Sequence, residues 1–174
     1  MTYFELFNIP PTFLPDPSYL RKKFYALSRD FHPDHHGEGN VEGSPDNIEL
    51  SANLNAAYRT LQNPDLLTAY LLELEGVINE GEKEDASPFF LLEMMELNEE
   101  LDEKLSRGRK KDVEHVRKRV EKLIDGHQKD MDNLKYGYNP DVKNEPLLNK
   151  IKEAHFKRRY LLRLLEKINN FASP

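Results

Sequence analysis

Cysteine is absent from this 174-residue chain, so disulfides, thiolate metal sites and a thiol nucleophile are all excluded. Long apolar runs are absent too, and no stretch approaches the roughly 18 residues of a membrane span. Nor is there an excess of positive charge. The formal net charge is −6, which argues against nucleic acid as the main partner. The opening MTYFELFNIPP has no basic start, no long apolar stretch and no Arg/Ser-rich amphipathic run, so it does not read as a targeting segment. The expectation is a soluble, cytoplasmic protein with no membrane association. Strand patterns, internal repeats and low-complexity tracts are also missing. What remains is charge and helix. Charged residues make up 32% of the chain and Leu, Glu and Lys are abundant, which together indicate helices with solvated faces.

The helices are separated by strong punctuation. TYFELFN is a brief apolar segment stopped by Pro10-Pro11. Asp16 caps the next helix and Pro17 opens it, where a missing N–H costs nothing. Leu20, Phe24, Leu27 and Phe31 follow with the spacing of one buried stripe, and Pro33 ends the helix. A second helix from about Ser44-Pro45 repeats the spacing in Leu50, Leu54, Ala57 and Leu61, and Asn63-Pro64 stops it. Two equal stripes predict an antiparallel hairpin with residues 32–43 at its tip. Residues 65–75 read as one more short helix, and EGVINEGEKEDAS reads as a linker.

Three longer helical patterns come after the linker. Ser87 caps the first and Pro88 opens it, with Phe90, Met94, Leu97, Leu101 and Leu105 on its apolar line. The second carries Val113, Val116, Val120, Leu123, His127, Met131 and Leu134 on a heptad, which makes His127 a packed core position. The third starts near Pro146 and carries Ile151, Ala154, Arg158, Leu161, Leu165 and Ile168, with the Arg158 stem expected to lie along apolar surface. KYGYNPDVKNEP is the turn between these last two. The expected architecture is therefore all-α: an N-terminal domain over 1–75, a linker over 76–86 and a three-helix bundle over 87–174.

Charge divides the chain at the same place. Residues 1–75 hold five Lys/Arg against eleven Asp/Glu, while residues 76–174 hold twenty of each. Four of the five N-terminal cations, Arg21, Lys22, Lys23 and Arg29, lie on the one helix before His32. The stretch DFHPDHHGEG that follows has three possible uses. His32, Asp34, His35 and His36 could ligate a metal, but neighbours in one loop rarely converge on an ion and no second cluster has ligand spacing. A His–Asp catalytic pair would need a nucleophile, an oxyanion donor or a pocket, which a hairpin tip does not offer. The third use is recognition. Pro33 has a fixed φ and no N–H, so it pre-orders the polar residues on either side. On the helix before it, Lys22, Tyr25 and Arg29 share a solvent face suited to an acidic groove.

These residues carry a resemblance. YLRKKFYALSRDFHPD followed by NLNAAYRTLQNP resembles a J-domain, with His32-Pro33-Asp34 as its signature tripeptide. The family often has Lys after the tripeptide, where this chain has His35. The resemblance implies that His32, Pro33 and Asp34 trigger ATP hydrolysis on a DnaK-type chaperone and that Lys22, Tyr25 and Arg29 dock the domain. YFELFNIP, AYLLELEG and FLLEMMELNEELDE extend the likeness over nearly the whole chain, to the HscB family of iron–sulfur co-chaperones. Leu67-Thr68 departs from that family, which tends to carry an arginine there.

The first bundle helix holds more apolar residues than one stripe requires. At about 100° per residue, Leu92 and Met95 fall well away from the Phe90/Met94/Leu97/Leu101 line, among Glu96, Glu99 and Glu103. On the third helix, Phe156 and Tyr160 likewise fall off the core line. Apolar residues ringed by carboxylates either bind a partner protein or pack against the N-terminal domain. The HscB resemblance implies the former, with Leu91, Leu92, Met95, Glu96, Glu99, Glu103 and Tyr160 holding the scaffold protein IscU. It also implies an adaptor rather than an enzyme, which hands IscU to an HscA-like chaperone and itself binds no metal or cofactor. A general J-protein serving unfolded clients is the alternative.

Overall fold

The computed structural model describes residues 1–30, 45–79, 87–108 and 110–172, with residues 45–48, 110 and 172 described as backbone only. Among the described residues it is all-α, with seven helices and no strand: α1 (Tyr3–Phe7), α2 (Pro17–Asp30), α3 (Pro45–Gln62), α4 (Pro64–Leu74), α5 (Pro88–Ser106), α6 (Lys110–Tyr136) and α7 (Glu145–Ala172). They form two compact units. One comprises Met1–Gly76 with Tyr138–Lys143, the other Val77–Gly137 with Asn144–Pro174.

Local chemistry starts and stops the helices of the first unit. Thr2 and Glu5 form a capping box around the α1 N-terminus, and Asn8 ends that helix in the left-handed region at φ 55°. The Asp16 carboxylate accepts from the Ser18 N–H at 2.8 Å, which satisfies an orphan donor at the start of α2. Asn63 does the same for Asp65 and Leu66 at the start of α4. The hairpin is antiparallel: Tyr19, at the start of α2, donates to the Phe7 carbonyl, and Tyr58, near the end of α3, stacks on both Phe7 and Phe24.

The core of this unit is Phe4, Phe7, Phe13, Leu20, Leu54, Ala57, Leu61, Leu67, Leu71 and Leu72. Each large apolar side chain buried there contributes about 1.5–3 kcal/mol. The expected stripes are only partly buried. Leu20 is buried, Phe24 and Leu27 are half-buried, and Leu50 keeps 37% of its surface exposed. Phe31 lies outside the described residues.

The loop after α6 contributes to the same unit. The Tyr138 ring meets Phe13 edge-on at 4.9 Å and its hydroxyl donates to the Glu75 carboxylate. Burial, followed by that carboxylate, pushes the Tyr138 phenol well above its usual range.

The second unit packs α5, α6 and α7 around Phe90, Met94, Leu97, Leu101, Val113, Val116, Val120, Leu161, Leu164 and Ile168. Ser87 Oγ accepts from the Phe90 N–H and Pro88 opens α5, as the sequence predicts. Two expectations need correction. Phe156 is not an outward residue: it is 3% exposed, because Lys152, one turn earlier, donates to the Val77 carbonyl and lies over the Phe156 ring. His127 is half-buried rather than packed in the core. Arg158 is half-buried, as a long aliphatic stem lying on apolar surface requires.

Candidate functional site

Two faces, one on each unit, carry the candidate residues. On α2, Lys22, Tyr25 and Arg29 point to solvent, and Tyr25 keeps 62% of its surface exposed. Phe24, the neighbouring residue, turns inward onto Tyr58 at a ring separation of 4.2 Å. That contact fixes the rotation of α2, so the basic residues and Tyr25 face outward together. His32, Pro33 and Asp34 lie outside the described residues, as do His35 and His36.

The second face is on α5. Its buried line, Phe90, Met94, Leu97 and Leu101, leaves Leu91, Leu92 and Met95 exposed at 44–57%. Glu96, Glu99 and Glu103 are exposed beside them. Phe89 is the most exposed of the group at 79%, and the sequence reading missed it. The same helical count reaches it, since at about 100° per residue Phe89 falls next to Glu96 and Glu103. An exposed Phe-Leu-Leu-Met strip bordered by carboxylates suits a protein partner with apolar pockets and a basic rim.

Ion pairs flank the strip. Glu100, on the Phe89 side of the helix surface, takes a 2.6 Å ion pair from Lys104 and another from Arg119 on α6. The Lys104 hydrogen bond, ahead of the other nearby cations, holds the Glu100 carboxyl below the usual carboxylate value against a smaller opposing effect of burial. On the α7 side, Lys167 pairs with Asp102 at 2.6 Å.

Tyr160 is placed differently from the other six candidate residues. Its ring meets Phe90 edge-on at 5.9 Å, its hydroxyl accepts from Asn98 Nδ2 at 2.8 Å, and Arg163 lies over it. It is half-buried in the α5–α7 seam, beside the start of the exposed strip. Among the described residues no three His, Asp or Glu side chains converge on a metal-sized site. No described helix is long and apolar enough to cross a membrane.

Comparison with known proteins bears on the same units. Residues 86–169 match the family described as the HSCB C-terminal oligomerisation domain. The solved chaperone HscB from Vibrio cholerae superposes with a TM-score of 0.70 at 26% identity, covering 98% of this chain and 96% of that one. The chain thus carries an HscB C-terminal domain over residues 86–169 and shares the fold of HscB. The crystal structure of human co-chaperone protein HscB gives a TM-score of 0.73 at 27% identity, covering all of this chain and 83% of that one. Among curated relatives, a co-chaperone protein HscB homolog of Vibrio vulnificus is 39% identical over 104 residues. That match spans 59% of this chain and 61% of the relative's own length. The all-α architecture, consistent with a J-domain followed by a C-terminal helical bundle, is shared with these HscB structures.

Proposed function

We propose that this protein is an adaptor co-chaperone of iron–sulfur cluster assembly. Its bundle binds the scaffold protein IscU, and its J-domain delivers that scaffold to a DnaK-type chaperone of the HscA kind and stimulates the chaperone's ATPase. The observation that carries this reading is the exposed strip of α5. Phe89, Leu91, Leu92 and Met95, with Glu96, Glu99 and Glu103 beside them, form a ready-made apolar contact in an HscB-family domain. Tyr160 borders that strip through Phe90.

The basic face of α2 supports the second half of the proposal. Lys22, Tyr25 and Arg29 offer an exposed cationic surface to an acidic groove on the ATPase, where long-range attraction speeds encounter. His32, Pro33 and Asp34 are the proposed trigger of hydrolysis, which takes place on the chaperone and needs no nucleophile or metal here.

The test is the ATPase rate of a DnaK-type chaperone measured with this protein, with and without IscU. Stimulation that rises further when IscU is added supports the proposal. Equal stimulation by IscU and by an unfolded apolar client would indicate a general J-protein instead.

A further inference from the structure

The outward face of α6 is used neither by the core nor by the α5 strip, and its charge is one-sided. Lys111, His115, Lys118, Arg119, Lys122 and Lys129 are all exposed. At ~100° per residue they fall within about 100° of arc, opposite Val113, Val116 and Val120. No carboxylate falls within that arc; Asp112, Asp125 and Asp130 lie just outside it. The row runs along about 27 Å of helix at ~1.5 Å per residue. Arg119 is engaged with Glu100 at 2.6 Å, but Lys118, Lys122 and Lys129 have no carboxylate partner among the described residues.

Helix stability explains only part of this arrangement: Glu114 and Asp125 stand four residues before Lys118 and Lys129, a favourable spacing, but Lys122 has no such partner. Lys118 and Lys122 are four apart, a like-charge spacing that destabilises a helix, where a solvated face would normally mix signs. Gly126 adds a second anomaly. It sits inside α6, where glycine is unfavourable, and a Cβ built there would meet nothing within 4 Å. Packing therefore does not require the glycine. Beside it lies an open recess of about 400 Å³ lined by Arg119, Lys122, Leu123, Gly126, His127 and Asp130.

We infer that the α6 face is a docking site for an acidic helical segment of a partner protein. Its carboxylates pair with Lys118, Lys122 and Lys129, and one apolar side chain seats in the Gly126 recess against Leu123. A membrane is the poorer occupant, since the arc offers a cationic row but no row of apolar residues to insert. A nucleic acid is also poorer, because the chain's net charge of −6 opposes a polyanion beyond the local face.

The test uses the full chain and a fluorescent helical peptide of about 18 residues, with Glu at i,i+4 spacing and one central Leu. Binding is expected to weaken as salt rises, and to fall about ten-fold in Lys118→Gln/Lys122→Gln. Gly126→Leu, which places a side chain at the edge of the recess, should weaken binding comparably, and so should replacing the peptide's central Leu with Ser. Lys150→Gln, an exposed cation on α7 that belongs to neither proposed face, should leave binding unchanged. The inference is overturned if the peptide does not bind, if neither α6 variant weakens it, or if Lys150→Gln does. Tighter binding to phosphatidylserine vesicles or to a DNA duplex than to the peptide would overturn it as well.

Discussion

Asn98 Nδ2 donates a 2.8 Å hydrogen bond to the Tyr160 hydroxyl, joining residues 62 apart in sequence. This bond joins α5 to α7 one turn from Met94, at the edge of the exposed strip. A half-buried hydrogen bond of this kind contributes about 0.5–1.5 kcal/mol net. Tyr160→Phe should therefore lower stability by about 1 kcal/mol in urea denaturation, with no change in helix content. A variant as stable as the parent would show that the bond holds nothing together.

Exposure separates stability from binding on α5. Leu92 and Met95 are each 57% exposed, whereas Leu101 is fully buried. Leu92→Ala/Met95→Ala should cost little stability, within about 0.5 kcal/mol per site, while lowering IscU binding at least about ten-fold. Leu101→Ala should do the reverse, losing about 2–5 kcal/mol through the cavity it leaves. Calorimetric titration with IscU, alongside thermal melts, distinguishes the two. Undiminished IscU binding by the double variant would remove α5 from the site.

For the J-domain, charge and trigger should part company. Lys22→Glu/Arg29→Glu should weaken chaperone stimulation most at low salt, since exposed charges act over a Debye length of about 10 Å at ~0.1 M salt. His32→Gln should abolish stimulation at any salt concentration while leaving IscU binding intact. Single-turnover ATPase assays over a salt series would show both patterns. Stimulation that survives His32→Gln would refute the assigned trigger.

Acid should weaken the α5–α6 pairing in a defined direction. The Glu100 carboxyl is held below its ordinary value of 4.5 by Lys104, so folding is favoured by its ionised form. That contribution is complete above pH 4.5 and is lost as pH falls through the lowered folded-state value. Because the pair is partly exposed, Glu100→Gln should cost only about 0.5 kcal/mol at neutral pH. The difference between parent and variant should vanish in denaturation experiments carried out well below pH 4.5. A difference that grows on acidification would reverse the assigned sign.

At Gly126 the prediction is a gain. Nothing surrounds the position where a Cβ would be added, so Gly126→Ala should stabilise α6 by up to about 1 kcal/mol. Thermal denaturation of the full chain would register this as a higher midpoint.

Much of this organisation was legible in the chain itself. Ser87-Pro88 marked the start of α5 because capping and a missing N–H act within one turn. The 3.6-residue period separated Phe90, Met94, Leu97 and Leu101 from Leu92 and Met95, and those buried and exposed sets are the ones observed. Periodicity sets which residues share a face, because that depends only on the helix's own geometry.

How many neighbours each face meets is a different matter. Phe156 lies off the main line of α7 yet is buried, with Lys152, bound to the Val77 carbonyl, lying over its ring. Leu50 lies on the expected stripe of α3 yet is 37% exposed, while Phe4, Phe7 and Phe13 fill the core of that unit. Tyr138 reads as a turn residue, but it packs on Phe13 and donates to Glu75, 63 positions away. Local sequence thus determined the helices, their caps and the two outward faces. Only the tertiary structure decided which neighbours cover the remaining sides, since burial there depends on contacts between segments far apart in the chain.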